Sequence, residues 1–308
     1  MGQNVQNREV VLHIGMHKTG TSAIQSFLST NAERHLQKED TLYVETGRDV
    51  SAKGMHAGHH WLAWSCVERY SSRVEGPDAQ RLRKKVRGEI ERTRAKRAVI
   101  SSEFFWPARR EDVKGIQKTF GGLDITVVIF VRNHLDMARS YYAQAVKQEG
   151  YEKGFKRIVE QKKWCFDYKR VLDTWVDVLG GENVVMELYD KHDDVVGRFA
   201  EVVGLSKQGR KREENVSPSD SILHFVRGLN VVQKRAPAPW GRMLKRVRHN
   251  VVAGRQPGRT LSRLASPFLP DAILRPGERE WFRQETKDLH HRFLESYVSP
   301  DDHSLFEF

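Results

Sequence analysis

The chain has 308 residues, with 52 Lys and Arg against 40 Asp and Glu, for a net charge of +12. With 39% hydrophobic and 30% charged residues, the composition is that of a soluble globular protein and excludes a disordered one; no apolar run reaches the roughly 20 residues that span a bilayer. Two cysteines, Cys66 and Cys165, exclude a disulfide framework, and the N-terminus shows no secretory leader, so a reduced, cytoplasmic protein is expected. The charge raises nucleic acid as a partner, but the excess is local. Residues 81–97 carry +7 and residues 206–260 carry +10, leaving −5 on everything else.

Taken in chain order, residues 9–15 read as a short buried strand ended by glycine. A helix follows from about Gly20 to Arg34, with Ala23, Ile24, Phe27 and Leu28 on one face. Residues 57–70 and 79–95 read as helical. In the latter, Leu82, Val86 and Ile90 recur every four residues, and the basic remainder reads as a solvated face. Ala98–Ser102 is a second buried strand, and Asp124–Arg132, apolar on both faces, has the pattern of a central parallel strand. Helices are expected at 135–149 and 167–179, with a strand at Asn183–Leu188 between the latter and the chain beyond. Strands alternating with helices predict an α/β fold with a mostly parallel sheet. Beyond Leu205 the character changes: Pro237, Pro239, Pro257 and Pro267 interrupt the pattern, and only 218–232 and 277–297 read as helices. The expected division is a core over 1–205 and a basic, mainly helical extension over 206–308 that completes the ligand site.

The most informative stretch is Gly15-Met-His-Lys-Thr-Gly20-Thr21-Ser22, between the first strand and its helix. Such a loop aims backbone N–H groups and a positive helix end at an anion. Nucleotide-triphosphate loops read G-x-x-x-x-G-K-[ST]. Here both glycines have that spacing, but Thr21 stands where the lysine belongs and the cation has moved to Lys18. The segment resembles the 5′-phosphosulfate loop of sulfotransferases that use 3′-phosphoadenosine 5′-phosphosulfate (PAPS), whose K-x-G-T-[ST] pattern is matched by Lys18 to Ser22. The resemblance implies a three-layer P-loop-like fold in which Lys18 contacts the 5′-phosphate and bridging oxygen. Thr19, Gly20, Thr21 and Ser22 would hold the phosphosulfate, and His17 would pack against the cofactor.

A second signature of that family is an Arg at a strand end and a Ser in the next helix, both on the 3′-phosphate. Arg132 and Ser140 match it, with Arg132 offering a planar donor fork and Ser140 a hydroxyl. A salt bridge to Asp136 is the alternative role for Arg132. Tyr168 to Trp175 resembles a family helix, with core packing the favoured role for Trp175. The basic loop of 207–217 resembles one that closes on the 3′-phosphate, through Lys211 or Arg212.

Sulfuryl transfer to a hydroxyl needs a base and stabilisation of the leaving phosphate. Lys18 supplies the second, and no metal is required. Glu103, directly after a buried strand, is the first candidate base, its pKa expected to rise by burial beside Phe104, Phe105 and Trp106. His60 is the second, with His56 and His59 beside it. The implied acceptor is a hydroxyl on a carbohydrate or glycolipid, with peripheral contact to anionic surfaces possible. Two rivals stay open: a P-loop small-molecule kinase, against which Thr21 and Arg132 both speak, and a basic nucleic-acid-binding protein, for which residues 240–248 with Trp240 are the best case.

Overall fold

A computed structural model of the protein describes residues 8–32, 36–49, 58–74, 76–206, 220–252, 274 and 276–307. These divide into two compact units. The first takes its described residues from Met1–Arg132, Asp167–Glu214 and Arg292–Leu305, the second from Asn133–Phe166, Asn215–His291 and Phe306–Phe308.

The first unit holds five strands, β1 (Glu9–His13), β2 (Thr41–Tyr43), β3 (Arg97–Ser101), β4 (Asp124–Val131) and β5 (Val184–Leu188), in the order β2-β3-β1-β4-β5. Every pairing is parallel. Its helices are α1 (Thr21–Asn31), α2 (His60–Cys66), α3 (Gly76–Arg92), α4 (Arg110–Thr119), α7 (Tyr168–Leu179) and α8 (Val195–Val202). The α/β fold with a parallel sheet is thus as expected, and the four strands read from the sequence lie within one or two residues of their predicted limits. Strand β2 was not read, because three residues are too few to display a period of two.

The strands are apolar on both faces because both faces are covered. On one, Val11, Val99, Val128 and Phe130 pack with Ile24, Phe27 and Leu28 of α1 and Phe199 and Ala200 of α8. On the other, Val10, Leu12, Ile100, Val127 and Ile129 are equally buried; α7 lies against β5 and packs on α4. Glu9 fixes the register where the central strands begin. One carboxylate oxygen takes the Arg97 guanidinium of β3 at 2.8 Å and the other the Thr126 hydroxyl of β4 at 2.9 Å. The basic run 81–97 is in large part the outer face of α3: Val86 and Ile90 are buried while Arg81, Lys84 and Lys85 are exposed.

In the second unit α5 (His134–Gln148) is capped by Asn133, whose side-chain oxygen accepts from the Leu135 and Asp136 amides. It is joined by α6 (Phe155–Gln161), α9 (Asp220–Arg235), α10 (Ala238–Val252) and the part of α11 (Pro276–Tyr297) up to His291. Phe282 sits 5.9 Å from Phe155 and 5.5 Å from Phe166 between ring centroids, at the core of this unit. Helix α10 corrects the expectation that prolines break 235–270 from its start. Pro237 and Pro239 fall at the entry and first turn of α10, where a missing N–H costs no intrahelical bond. Among the described residues no helix is long and apolar enough to cross a membrane.

Trp175 is fully buried on α7, in the packing role favoured for it. Trp175→Ala is expected to lower unfolding stability by about 3–5 kcal/mol, read as a drop in urea midpoint at unchanged slope.

Candidate active site

The loop between β1 and α1 runs on alongside β4: the Met16 amide donates to the Phe130 carbonyl at 3.0 Å, and the Phe130 amide to the Gly15 carbonyl at 2.8 Å. Lys18 and Gly20 both adopt left-handed backbone, at φ 69° and 74°, with Thr19 between them. Alternation of this kind turns successive N–H groups to one side and forms an anion-binding nest. Gly20 is also the residue that opens α1. It offers no side-chain cap, and the first turn of α1 carries no acidic residue. The first N–H groups of a helix have no acceptor within it, so the start of α1 has the electrostatic character that suits an anion. Glycine is required at position 20 for a second reason: a Cβ there would come within 2.6 Å of Val195.

The hydroxyls divide into two kinds. Thr19 and Thr21 are buried, and both donate to the Met16 carbonyl, at 2.8 and 2.9 Å. They staple the loop from inside, so their hydroxyl protons are spent on the fold. Ser22 is exposed at the start of α1.

Arg132 follows β4 and lies beneath the loop. One of its nitrogens is 3.4 Å from the Lys18 carbonyl, and its guanidinium sits 5.1 Å from the centre of the Tyr189 ring. Its acidic partner is Asp190, at 3.4 Å, and not Asp136, which pairs with Arg139 at 3.4 Å. The first unit therefore gathers His17, Lys18, Thr19, Gly20, Thr21, Ser22 and Arg132. Ser140 is half-buried on α5 of the second unit, and Lys211 and Arg212 lie outside the described residues.

Glu103 follows β3, one residue beyond Ser102, whose hydroxyl accepts the Phe104 amide at 3.3 Å. Its carboxylate receives the Gln25 side-chain amide at 3.1 Å and stands 4.0 Å from the His17 ring. Burial by itself would raise this carboxyl, but His60, His17, a backbone N–H and the Gln25 amide outweigh it and hold the group below the ordinary carboxylate range. The expectation of a raised pKa is thereby overturned: the group is an ionised carboxylate at neutral pH. His60 is buried, hydrogen-bonded to the Ser102 hydroxyl at 2.9 Å and edge-on to Phe104 at 4.9 Å. His59 accepts the Ser101 amide at one ring nitrogen, 3.1 Å, which leaves the other to donate to the Val44 carbonyl at 2.7 Å. It is a neutral structural residue, with no nitrogen left for proton transfer. His56 lies outside the described residues.

Sequence reasoning missed Gln25, Tyr189 and Asp190. A glutamine set between Ile24 and the apolar pair Phe27 and Leu28 on α1 was the available signal for Gln25. Tyr189 and Asp190 reach Arg132 through the fold alone.

Phe104 forms the far wall of this cluster, with ring centroids 5.4 Å from His17, 5.4 Å from Trp64 and 5.2 Å from Tyr70. Trp64 in turn meets Trp61 at 5.3 Å. Trp61 is 41% exposed and lines a cavity of about 520 Å³ together with Arg48, Arg73, Arg81 and Lys85 and one acid, Asp78. Among the described residues no group of three or more His, Cys, Asp or Glu is placed to hold a metal ion.

A family model described as the sulfotransferase domain matches residues 8–203. Among solved structures, a sulfotransferase from Alicyclobacillus acidocaldarius aligns over 83% of this chain and 99% of its own, at 16% identity and a TM-score of 0.45. The sulfotransferase domain from the curacin biosynthetic pathway aligns over 70% of this chain and 82% of its own, at 12% identity and a TM-score of 0.36. No curated protein matches the sequence.

Burial lowers the pKa of His13 from 6.5 to about 4 and that of His59 to about 3. Both are neutral when folded and take up protons when unfolded below pH 6.5. Their contribution is therefore constant above that pH and destabilising as pH falls from 6.5 toward 4, by about 1.4 kcal/mol per histidine per pH unit. Urea unfolding at pH 7.0 and 5.0 is expected to show this loss, and His59→Gln a shallower pH slope.

Proposed function

The chain belongs to the sulfotransferase family, and from that membership we propose that it moves a sulfuryl group from PAPS to a hydroxyl of a carbohydrate or glycolipid. The observation that carries the reading is the nest at Lys18–Gly20 opening an uncapped, acid-free helix end, with Arg132 directly beneath it. That donor set fits a phosphate-rich ligand: backbone N–H groups, the Ser22 hydroxyl, one ammonium and one guanidinium fork. PAPS, when held there, supplies an activated sulfuryl group on its phosphosulfate. The family resemblance adds Ser140 and Lys211 or Arg212 as 3′-phosphate contacts, a proposal that rests on the sequence motifs.

Lys18 neutralises charge that grows on the departing phosphate. Glu103 accepts the proton of the attacking hydroxyl. Its lowered pKa keeps it ionised at neutral pH, although it makes the group a weaker base, and Gln25 holds one of its oxygens by a hydrogen bond at 3.1 Å. His60 is the second candidate for the same role. The acceptor reading is supported by the cavity beyond Phe104, where the exposed Trp61 offers a ring to a sugar face and the four cations favour an acidic one.

Glu103→Gln is expected to cut turnover about 10²–10⁴-fold while affinity for 3′,5′-adenosine bisphosphate, measured by calorimetry, stays at the wild-type value. With Glu103 as base the rate is flat from pH 8 down to 5; a loss of rate within that range would transfer the role to a histidine. Unchanged bisphosphate affinity in the Lys18→Ala, Arg132→Ala double variant would remove PAPS as the donor.

A further inference from the structure

The second unit carries a feature that sulfuryl transfer does not use. From residue 221 to residue 252 the sequence contains seven Lys or Arg and no Asp or Glu. This stretch makes up nearly all of α9 and α10, which pack on one another as a hairpin. Four large hydrophobic side chains are exposed among the described residues, and three of them sit at this hairpin's turn: Val232 at 55%, Trp240 at 60% and Met243 at 48%. Val232 lies in the last turn of α9, while Trp240 and Met243, three residues apart, share one face at the start of α10. The two helices meet closely there, since a Cβ on Gly241 would touch the Gln233 and Ala236 carbonyls at 3.7 and 3.9 Å.

The basic residues fall into two groups. Arg227, Lys234 and Arg248 are engaged within the unit, with the Tyr142 hydroxyl, the Glu152 carboxylate and the Asn230 side chain. Buried Asn230 donates to the Val146 and Tyr151 carbonyls and so fixes the inner face of α9. Arg235, Arg242, Lys245 and Arg246 are exposed on the same stretch of the two helices, Arg246 flanking the Trp240 and Met243 face of α10 and Arg242 and Lys245 further round the helix. The inner side of the hairpin is thus anchored, and its tip presents an exposed indole, thioether and valine on helices whose other exposed side chains include four cations.

We propose that this tip is a docking surface for an anionic lipid bilayer. Trp240, Met243 and Val232 enter the headgroup boundary, and Arg235, Arg242, Lys245 and Arg246 meet lipid phosphates and carboxylates. Tryptophan prefers that boundary, and apolar burial combined with cationic attraction is what holds a helix in the interfacial plane. A nucleic acid would use the cations and stack on the indole, but it offers nothing to the valine and the thioether.

The test uses the full chain, sedimented with phosphatidylcholine vesicles with and without a minor fraction of phosphatidylserine. Binding is expected only to the phosphatidylserine vesicles at about 0.1 M salt, with release near 1 M. The Arg242→Gln, Lys245→Gln, Arg246→Gln variant is expected to lose about a hundredfold in affinity, at roughly fivefold per charge. Trp240→Ser with Met243→Ser is expected to lose at least about tenfold. Circular dichroism checks that both variants fold, and the substituted side chains are exposed. Failure to sediment with anionic vesicles, equal binding to neutral ones, or wild-type affinity in the Trp240, Met243 variant overturns the proposal. So does random single-stranded RNA that displaces the protein from vesicles and itself needs Trp240; that outcome assigns the surface to nucleic acid.

Discussion

The site depends on an approach that only glycine permits. At Gly15, φ is +96° and a Cβ would stand 3.0 Å from both Cα and Cβ of Glu103. The end of β1 and the end of β3 are neighbours in a parallel sheet, so both chains leave it at the same edge. Removing one methyl-sized group lets the loop that follows β1 close against the carboxylate that follows β3. An anion-binding nest and a candidate base are thereby brought to one edge through backbone contact, with no flexible side chain setting the distance. Gly58 leaves room of a different kind, for side chains: a Cβ there would fall 2.6 Å from the His60 ring and 2.7 Å from the Gln25 amide.

Around that contact the charges are balanced locally. Glu103 takes a hydrogen bond from Gln25 and has the His17 ring at 4.0 Å, while His13 and His59, close by, are kept neutral by burial. His13 is within hydrogen-bond distance of the Ser101 hydroxyl at 2.8 Å, and His60 of the Ser102 hydroxyl at 2.9 Å. Two consecutive serines at a strand end thus hold one histidine on either side of the sheet edge. The network is not fully satisfied, since Nε2 of His13 is buried without a hydrogen-bond partner among the described residues.

Much of this was legible in the sequence, and the reasons are specific. Strands β1, β3 and β4 announce themselves because burial on both faces demands unbroken apolar runs. The loop is legible because both glycines, Lys18 and the flanking strand and helix lie within one short stretch. What was not legible depends on tertiary proximity. Gln25 reaches Glu103 from a helix far away in sequence, and Arg132 finds Asp190 where a neighbouring Asp136 was the local choice. Thr19 and Thr21 look like ligand donors by spacing, yet both turn inward to one carbonyl. Helix α10 was lost to its prolines, which break a helix in its middle and not at its entrance. The effect of surroundings on Glu103 was also beyond the sequence, because burial and nearby histidines oppose each other and only geometry says which wins.

The pairing of Arg132 with Asp190 has a consequence for selectivity. The guanidinium beneath the loop is shared already, with an acid at 3.4 Å and an aromatic ring at 5.1 Å. An anion bound there as proposed would share the guanidinium with a resident carboxylate on its Nε side. A chloride ion or a lone carboxylate gains little from that arrangement, whereas a dianionic phosphate offers more charge and a bidentate match to the fork. If Arg132 binds phosphate as proposed, Asp190 would set a threshold against the monovalent anions of ordinary salt.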